Sequence, residues 1–513
     1  MRRPYQRQGD YRDRPEPPEP GDETNEFRKA LLRTQSERRA QDPFARFGVY
    51  DDDPEPLPRD RKPLVVLGSI GLGLLVAAAA AYVGMSFMPD GLVVAKDTSA
   101  EASAAEVPSP ALTRQFAAAQ SFAPTAPSVA VAAGQARGPA VQGVTDTEIR
   151  FGMAAPFAGP AKEMGRQLKL GIETAFAAAN ENGGVDGRQL KLVTADDGYE
   201  PTRTLNAMKE LYEKNQVFGF IDNYGSPTAL ISIPYALEHH AIYFGAFTGA
   251  NSLRHDPPDR YVFNCRAGYA EEADAVVRYL VKVRQLRPEE IGVLTQQDAY
   301  GEAGMDGVTK AVRALRNGVA RPILRMTYNR NTVNVDNAVA LLRRQKVPIK
   351  AVVLVATYRP AAKFIEKTRD LYPDMIYATI SGVGSTGLAD ELKLLGPRFS
   401  DGVIVSQVVP AVDGYASVSL VYKKALANYF PGESPDYVSL ESYLTANVLI
   451  EGLRRVGPQL DTETLVDKLE SVHDFDMGLG PRVSFGPAEH QAVHKVWGTQ
   501  LDNTGQYHAL DLE

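Results

Sequence analysis

A chain of 513 residues is long enough for about two to four domains. Its formal net charge of −7 argues against nucleic acid as a partner, because phosphate recognition needs clustered Lys and Arg. The single cysteine, Cys265, excludes an internal disulfide, and histidines without paired His or Cys at ligand spacing give no reason to expect a metal or cofactor.

Residues 1–63 are rich in Arg, Asp, Glu and Pro, with clusters such as PEPPEP (15–20) and DDDPEP (51–56). Too few apolar side chains are present to offset chain entropy, so a disordered tail is expected; a helix over 27–40 would let it dock a cytoplasmic partner. Residues 64–88 carry no charge. At about 1.5 Å per residue they reach roughly 37 Å, enough for one transmembrane helix. Arg59, Arg61 and Lys62 precede the span and Asp90 follows it, so the N-terminus is expected in the cytoplasm and the remainder outside the inner membrane. Residues 89–145 run to Ala, Ser, Pro, Val and Gln, a linker composition whose ends would lie roughly 40 Å apart.

From 146 to 513 strand and helix patterns alternate. The strand-like runs are 149–154, 189–196, 217–222, 241–247, 290–296 and 351–357. Helical spacing appears over 167–182, 201–214, 231–240, 273–284, 302–315, 336–345 and 361–371. Repeated βα units predict an α/β fold of parallel sheets with helices on both faces. Ligands of such sheets sit beyond the carboxyl ends of strands, where loops meet helix N-termini.

Those loops carry the candidate residues. NYGSPTA (223–229) holds Ser226, Pro227 and Thr228; AFTGAN (246–251) holds Ala246, Phe247 and Thr248. Free backbone N–H groups with hydroxyls at a helix start either bind a compact anion such as a carboxylate or merely cap the helix. QQDAYGEAG (296–304) brings Asp298 and Tyr300, and ATYRPAA (356–362) brings Tyr358. No nucleophile-elbow, metal or phosphate-loop spacing appears, so an enzyme is not expected.

The ordered series 149–197, 220–230, 292–312, 400–410 and 440–457 resembles the type I periplasmic binding proteins of the leucine/isoleucine/valine-binding family, which serve ABC importers. The resemblance covers essentially all of 146–513. It implies two α/β lobes joined by a three-strand hinge, about 146–265 with 407–489 and about 266–406 with 490–513. It also implies that Ser226, Thr248 and the Ala246 backbone hold a ligand carboxylate, and that Tyr300 and Tyr358 close over the ligand. The family's acid for an α-ammonium would fall near 378–384, where this chain has Ser381 and no carboxylate. Asp222, Asp298 or Glu302 would have to supply that charge, while Arg266, in NCRAGYA (264–270) near the expected hinge, would add positive potential and favour an acid; Tyr269 in the same stretch is a further candidate for ligand contact. Two uses follow: a tethered solute receptor feeding an ABC permease, or a sensory module signalling through the anchor or binding a protein partner.

Overall fold

The computed structural model describes residues 141–316, 318 and 322–513. The expected tail, the expected transmembrane helix at 64–88 and the linker up to 140 lie outside the described residues. Among the described residues no helix is long and apolar enough to cross a membrane. Residues 141–145, which composition assigns to the linker, are packed onto the folded module. The Gln142 amide donates to the carbonyls of Tyr212 and Val217, at 3.1 and 3.0 Å, and the Arg150 N–H to Gly143 O at 2.9 Å.

The first sheet has five parallel strands: β1 (Glu148–Ala155), β2 (Gln189–Asp196), β3 (Gly219–Ile221), β4 (Tyr243–Phe244) and β5 (Val262–Phe263), in the order β2-β1-β3-β4-β5. The strand sequences explain their places. β1 is buried on both faces over most of its length and lies inside the sheet; β2 alternates exposed Gln189 and Lys191 with buried Leu190 and forms an edge. The second sheet contains β6 (Ile291–Gln296), β7 (Leu324–Tyr328), β8 (Ala351–Val355), β9 (Ile376–Thr379), β10 (Ile404–Gln407), β11 (Trp497–Leu501) and β12 (Tyr507–Leu510), in the order β12-β11-β10-β9-β8-β6-β7. Here the expectation of parallel sheets needs correction, because β11 runs antiparallel to both β10 and β12. For the β11–β12 pair the reason is local. Asp502 turns the chain by accepting from the Thr504 and Gln506 N–H groups, and a turn that short permits only an antiparallel return.

Helix α1 (Lys162–Glu181) begins ahead of its apolar periodicity, which places the start at Gln167. Its first turn is set by packing: a Cβ on Gly165 would lie 2.1 Å from Pro156 O. Where α1 crosses α11 (Tyr437–Val456), a Cβ on Gly171 would lie 2.2 Å from Ser439 O, so the helices meet backbone to backbone. Helices α2 (Pro201–Lys209), α3 (Ser226–Glu238), α4 (Tyr269–Arg278), α5 (Ala299–Leu315), α6 (Asp336–Arg343), α7 (Tyr358–Thr368), α8 (Ser385–Leu395) and the one-turn α9 (Pro397–Ser400) follow the strands. α10 (Ser417–Tyr429) and α11 then return to α1, with α12 (Thr462–Glu470) beside α11. The chain therefore passes between the two sheets three times, through 264–268, 408–416 and 486–496. At one crossing the strands run together: Asn264 N–H donates to His490 O and Ala492 N–H to Asn264 O, both at 2.8 Å.

Candidate functional site

The loops leaving β3 and β4 are themselves paired. Phe247 N–H donates to Asn223 O at 3.0 Å and Gly225 N–H to Phe247 O at 3.3 Å. This pairing carries Ser226, the first residue of α3, to Thr248, and their hydroxyls lie 2.7 Å apart, both buried. Gly225 precedes them at φ 96°, with a Tyr199 ring carbon 2.3 Å from where its Cβ would be. Pro227 fills the first turn of α3. Thr228 does not join the pair. Its hydroxyl donates back to the carbonyls of Tyr224 and Gly225, so it serves the start of the helix.

Aromatic rings line the space around this pair. Tyr224 stacks on Phe247 with centroids 5.9 Å apart and meets Tyr199 edge-on at 4.8 Å. Tyr300 lies in the first turn of α5, its ring 5.3 Å from Tyr269. A Cβ on Gly382 would fall 2.9 and 3.0 Å from the two hydroxyls, so both converge on the turn that holds Ser381. The Tyr300 hydroxyl is buried with no hydrogen-bond partner among the described residues. Tyr358 opens helix α7 and donates to Pro160 O, 2.8 Å away on the first-sheet side. Further bridges cross between the sides. Gln296 Nε2 donates to the Tyr199 hydroxyl at 2.9 Å, Arg330 pairs with Glu200 at 2.8 Å, and Asn331 donates to Gly198 O at 3.0 Å.

The third component is charged and wholly interior. Arg266 is 2% exposed, beneath Phe247 and Tyr269 at 4.8 and 5.5 Å from their centroids. It pairs with Glu272 and Glu441, each at 3.1 Å, and donates to the Ser381 hydroxyl. Glu272 also accepts from Ser381 N–H at 2.8 Å, Ser381 Oγ at 2.9 Å and Ser406 Oγ at 2.6 Å. Burial pushes the Glu441 carboxyl up to about 7 against the pull of Arg266. It drives Asp222 well above the usual carboxylate range.

Ser381 is therefore bound up with Arg266 and Glu272, and Asp298 is equally engaged. Asp298 caps α5 by accepting from Tyr300 N–H at 3.0 Å and pairs with Arg330 at 2.9 Å, so it has no charge to spare for a ligand. Glu272, Glu441, Ser406, Tyr199 and Tyr224 escaped the sequence reading. A signal existed for the glutamates: each sits among buried neighbours, Glu272 beside Ala273 and Val276 and Glu441 beside Leu440 and Leu444. A carboxylate on the buried stripe of a helix marks an internal partner.

The comparisons agree with this architecture. Residues 148–506 match the family described as periplasmic binding protein. A Leu/Ile/Val-binding protein of Rhizobium johnstonii is 24% identical over 343 residues, covering 66% of this chain and 88% of the relative. A solved structure from Rhodopirellula baltica, called a "possible leucine/isoleucine/valine-binding protein", is 34% identical with a TM-score of 0.68, covering 73% of this chain and 99% of that one. A fatty acid ABC transporter substrate-binding protein of Thermomonospora curvata shares the fold at 19% identity and TM-score 0.64, covering 72% and 93%. These are binding proteins, not enzymes. The chain belongs to the type I periplasmic binding proteins of the Leu/Ile/Val-binding family.

Proposed function

We propose that this protein is a membrane-anchored, extracytoplasmic solute receptor that captures a small carboxylate-type or amino-acid-like ligand between two lobes and hands it to an ABC permease. The observation that carries this reading is the Ser226–Thr248 hydroxyl pair at 2.7 Å, buried at the N-terminus of α3 on the wall it shares with Phe247. Thr248 Oγ1 also accepts from Ala250 N–H at 3.2 Å, so the bond open to exchange is the one between the two hydroxyls; they can trade it for the oxygens of a carboxylate, and the helix N-terminus favours the negative charge. Relatives support the carboxylate as the common element: branched-chain amino acids and fatty acids, the ligands in two of their names, share a carboxylate and differ in the ammonium. In this reading the lobes are about 146–265 with 407–489 and about 266–406 with 490–513.

The anchor belongs to the same proposal, on the strength of the uncharged run 64–88 and the basic residues before it. Protease added to intact spheroplasts is expected to remove the module and spare an N-terminal tag; the reverse pattern would refute this topology. For the ligand, a thermal-shift screen of the purified chain against organic acids, amino acids and amides tests the reading, since a ligand of the native state raises Tm by mass action. The long tail at 1–63 favours a second reading, a sensor that signals through the anchor. Recovery of a cytoplasmic partner by a tail-only bait, with no permease bound to the module, would select it.

A further inference from the structure

Among the carboxylates around the site, Asp222 keeps one buried oxygen, Oδ2, without a hydrogen-bond partner among the described residues, but burial drives its carboxyl well above the usual carboxylate range, away from the charged form an ammonium needs; the others are engaged. Glu272 accepts from Arg266, twice from Ser381 and once from Ser406, which fills the acceptor positions of its two oxygens. Asp298 is held by Arg330, Gln296 and Tyr300 N–H, Glu302 by Arg325, and Glu441 by Arg266. The donors are not all engaged. The Arg266 Nε–H and the Tyr300 hydroxyl, both buried, have no acceptor among the described residues. Tyr269 links the two, with Arg266 at 5.5 Å from its ring and Tyr300 at 5.3 Å. Such a wall suits a ligand that brings acceptors. An ammonium brings only donors, and in a closed cleft it would have to displace Arg266 from Glu272 or lie buried without a counter-charge.

We infer that the site selects organic acids lacking an ammonium group, and that Arg266 determines this preference by occupying Glu272 where a ligand cation would otherwise bind. The inference rests on the reading of the module as a solute receptor and narrows its ligand class. Arg266 acts through Glu272, so its signature is a change in preference between ligands rather than a uniform loss of affinity.

The test is calorimetric titration of the full-length chain with matched pairs: leucine against 4-methylpentanoate, alanine against propionate and glutamate against glutarate. Wild-type protein is expected to bind the acid of at least one pair about tenfold or more tighter than its amino acid. Arg266→Gln is expected to shift that ratio by about tenfold or more toward the amino acid, because Glu272 is released. The double variant Arg266→Gln with Glu272→Gln removes that charge pair together and leaves Glu441, whose carboxyl burial already pushes up to about 7, to take a proton; it covers the case in which the single variant does not fold, and is expected to abolish the discrimination. Tighter wild-type binding of the amino acid would overturn the inference while leaving the solute-receptor reading intact. A ratio unchanged in the folded variants would overturn the role of Arg266. Failure of every pair to bind would overturn the solute-receptor reading and this inference with it.

Discussion

The Ser226–Thr248 pair and the Arg266–Glu272–Glu441 cluster are buried to a similar degree and share Phe247 as a neighbour, yet their polarity is balanced in different ways. The hydroxyls are neutral and joined by one mutual bond of 2.7 Å, with Thr248 Oγ1 also accepting from Ala250 N–H at 3.2 Å. A bond of that kind is worth a net ~1 kcal/mol, so it yields easily to a better acceptor. The charged cluster opens only by stranding a buried ion, at several kcal/mol. One device can be exchanged with a ligand and the other is kept. The difference separates the part of the site fitted to bind from the part fitted to discriminate.

The largest effect is expected where the exchangeable device is removed. Ser226→Ala with Thr248→Ala takes away two hydrogen bonds to a charged group, worth about 3–6 kcal/mol of binding, a loss of a hundredfold or more in Kd by calorimetry. The melting temperature should stay close to wild type. A variant that melts much lower and binds normally would show that the hydroxyls only cap the helix.

The kept device should respond in stability instead. Glu272→Gln takes from Arg266 one of its two buried carboxylate partners, leaving Glu441, and is expected to cost up to about 3–5 kcal/mol in urea denaturation. A loss below about 1 kcal/mol would contradict the claim that the cluster cannot be opened piecemeal.

Titration of Glu441 sharpens the same contrast. Its folded-state pKa of about 7 lies above the value of an unfolded glutamate. Between the two, the native state keeps a proton that the unfolded chain has released. This contribution to stability is therefore intact below the unfolded pKa and is lost as pH rises to about 7, with a slope of at most about 1.4 kcal/mol per pH unit. Glu441→Gln should remove that descent, so the wild-type and variant stability curves should diverge with pH. Parallel curves would sink the assignment.

The smallest effect belongs to the bridge between the sides. Arg330 pairs with Glu200 where both side chains are partly exposed, so Glu200→Gln, which leaves the Arg330–Asp298 pair in place, should cost no more than about 1 kcal/mol of stability. A few-fold weaker affinity is expected if the bridge favours the closed arrangement, and unchanged affinity would exclude that role.

Much of the fold was legible because it repeats a local pattern. The alternation of Gln189–Asp196 marks an edge strand, and AVVLV at 351–355 marks a strand buried on both faces. Elements without such a period were missed, among them the hairpin of β11 and β12. Helix starts were misplaced where packing sets them, as at Gly165 in α1. In the site, turn composition singled out Ser226 and Thr248, and also Thr228 and Asp298, whose hydrogen bonds are used up within their own helix starts or by Arg330. Composition ranks residues by what they can offer and is silent on whether the offer is already taken.

The sequence by itself determined the alternation of strands and helices over the first part of the module, the family, and the loops that gather at the carboxyl ends of those strands, because periodicity and turn chemistry act over a few residues. Only the tertiary structure decided which polar groups meet. Ser226 reaches Thr248 through the pairing of two loops, and Arg266 finds Glu441 on a helix far along the chain, which returns to α1 across the crossing segments. Burial then fixes what each meeting is worth, since removing water turns a weak hydroxyl contact into an exchangeable bond and an ordinary ion pair into a commitment that cannot be undone on one side alone.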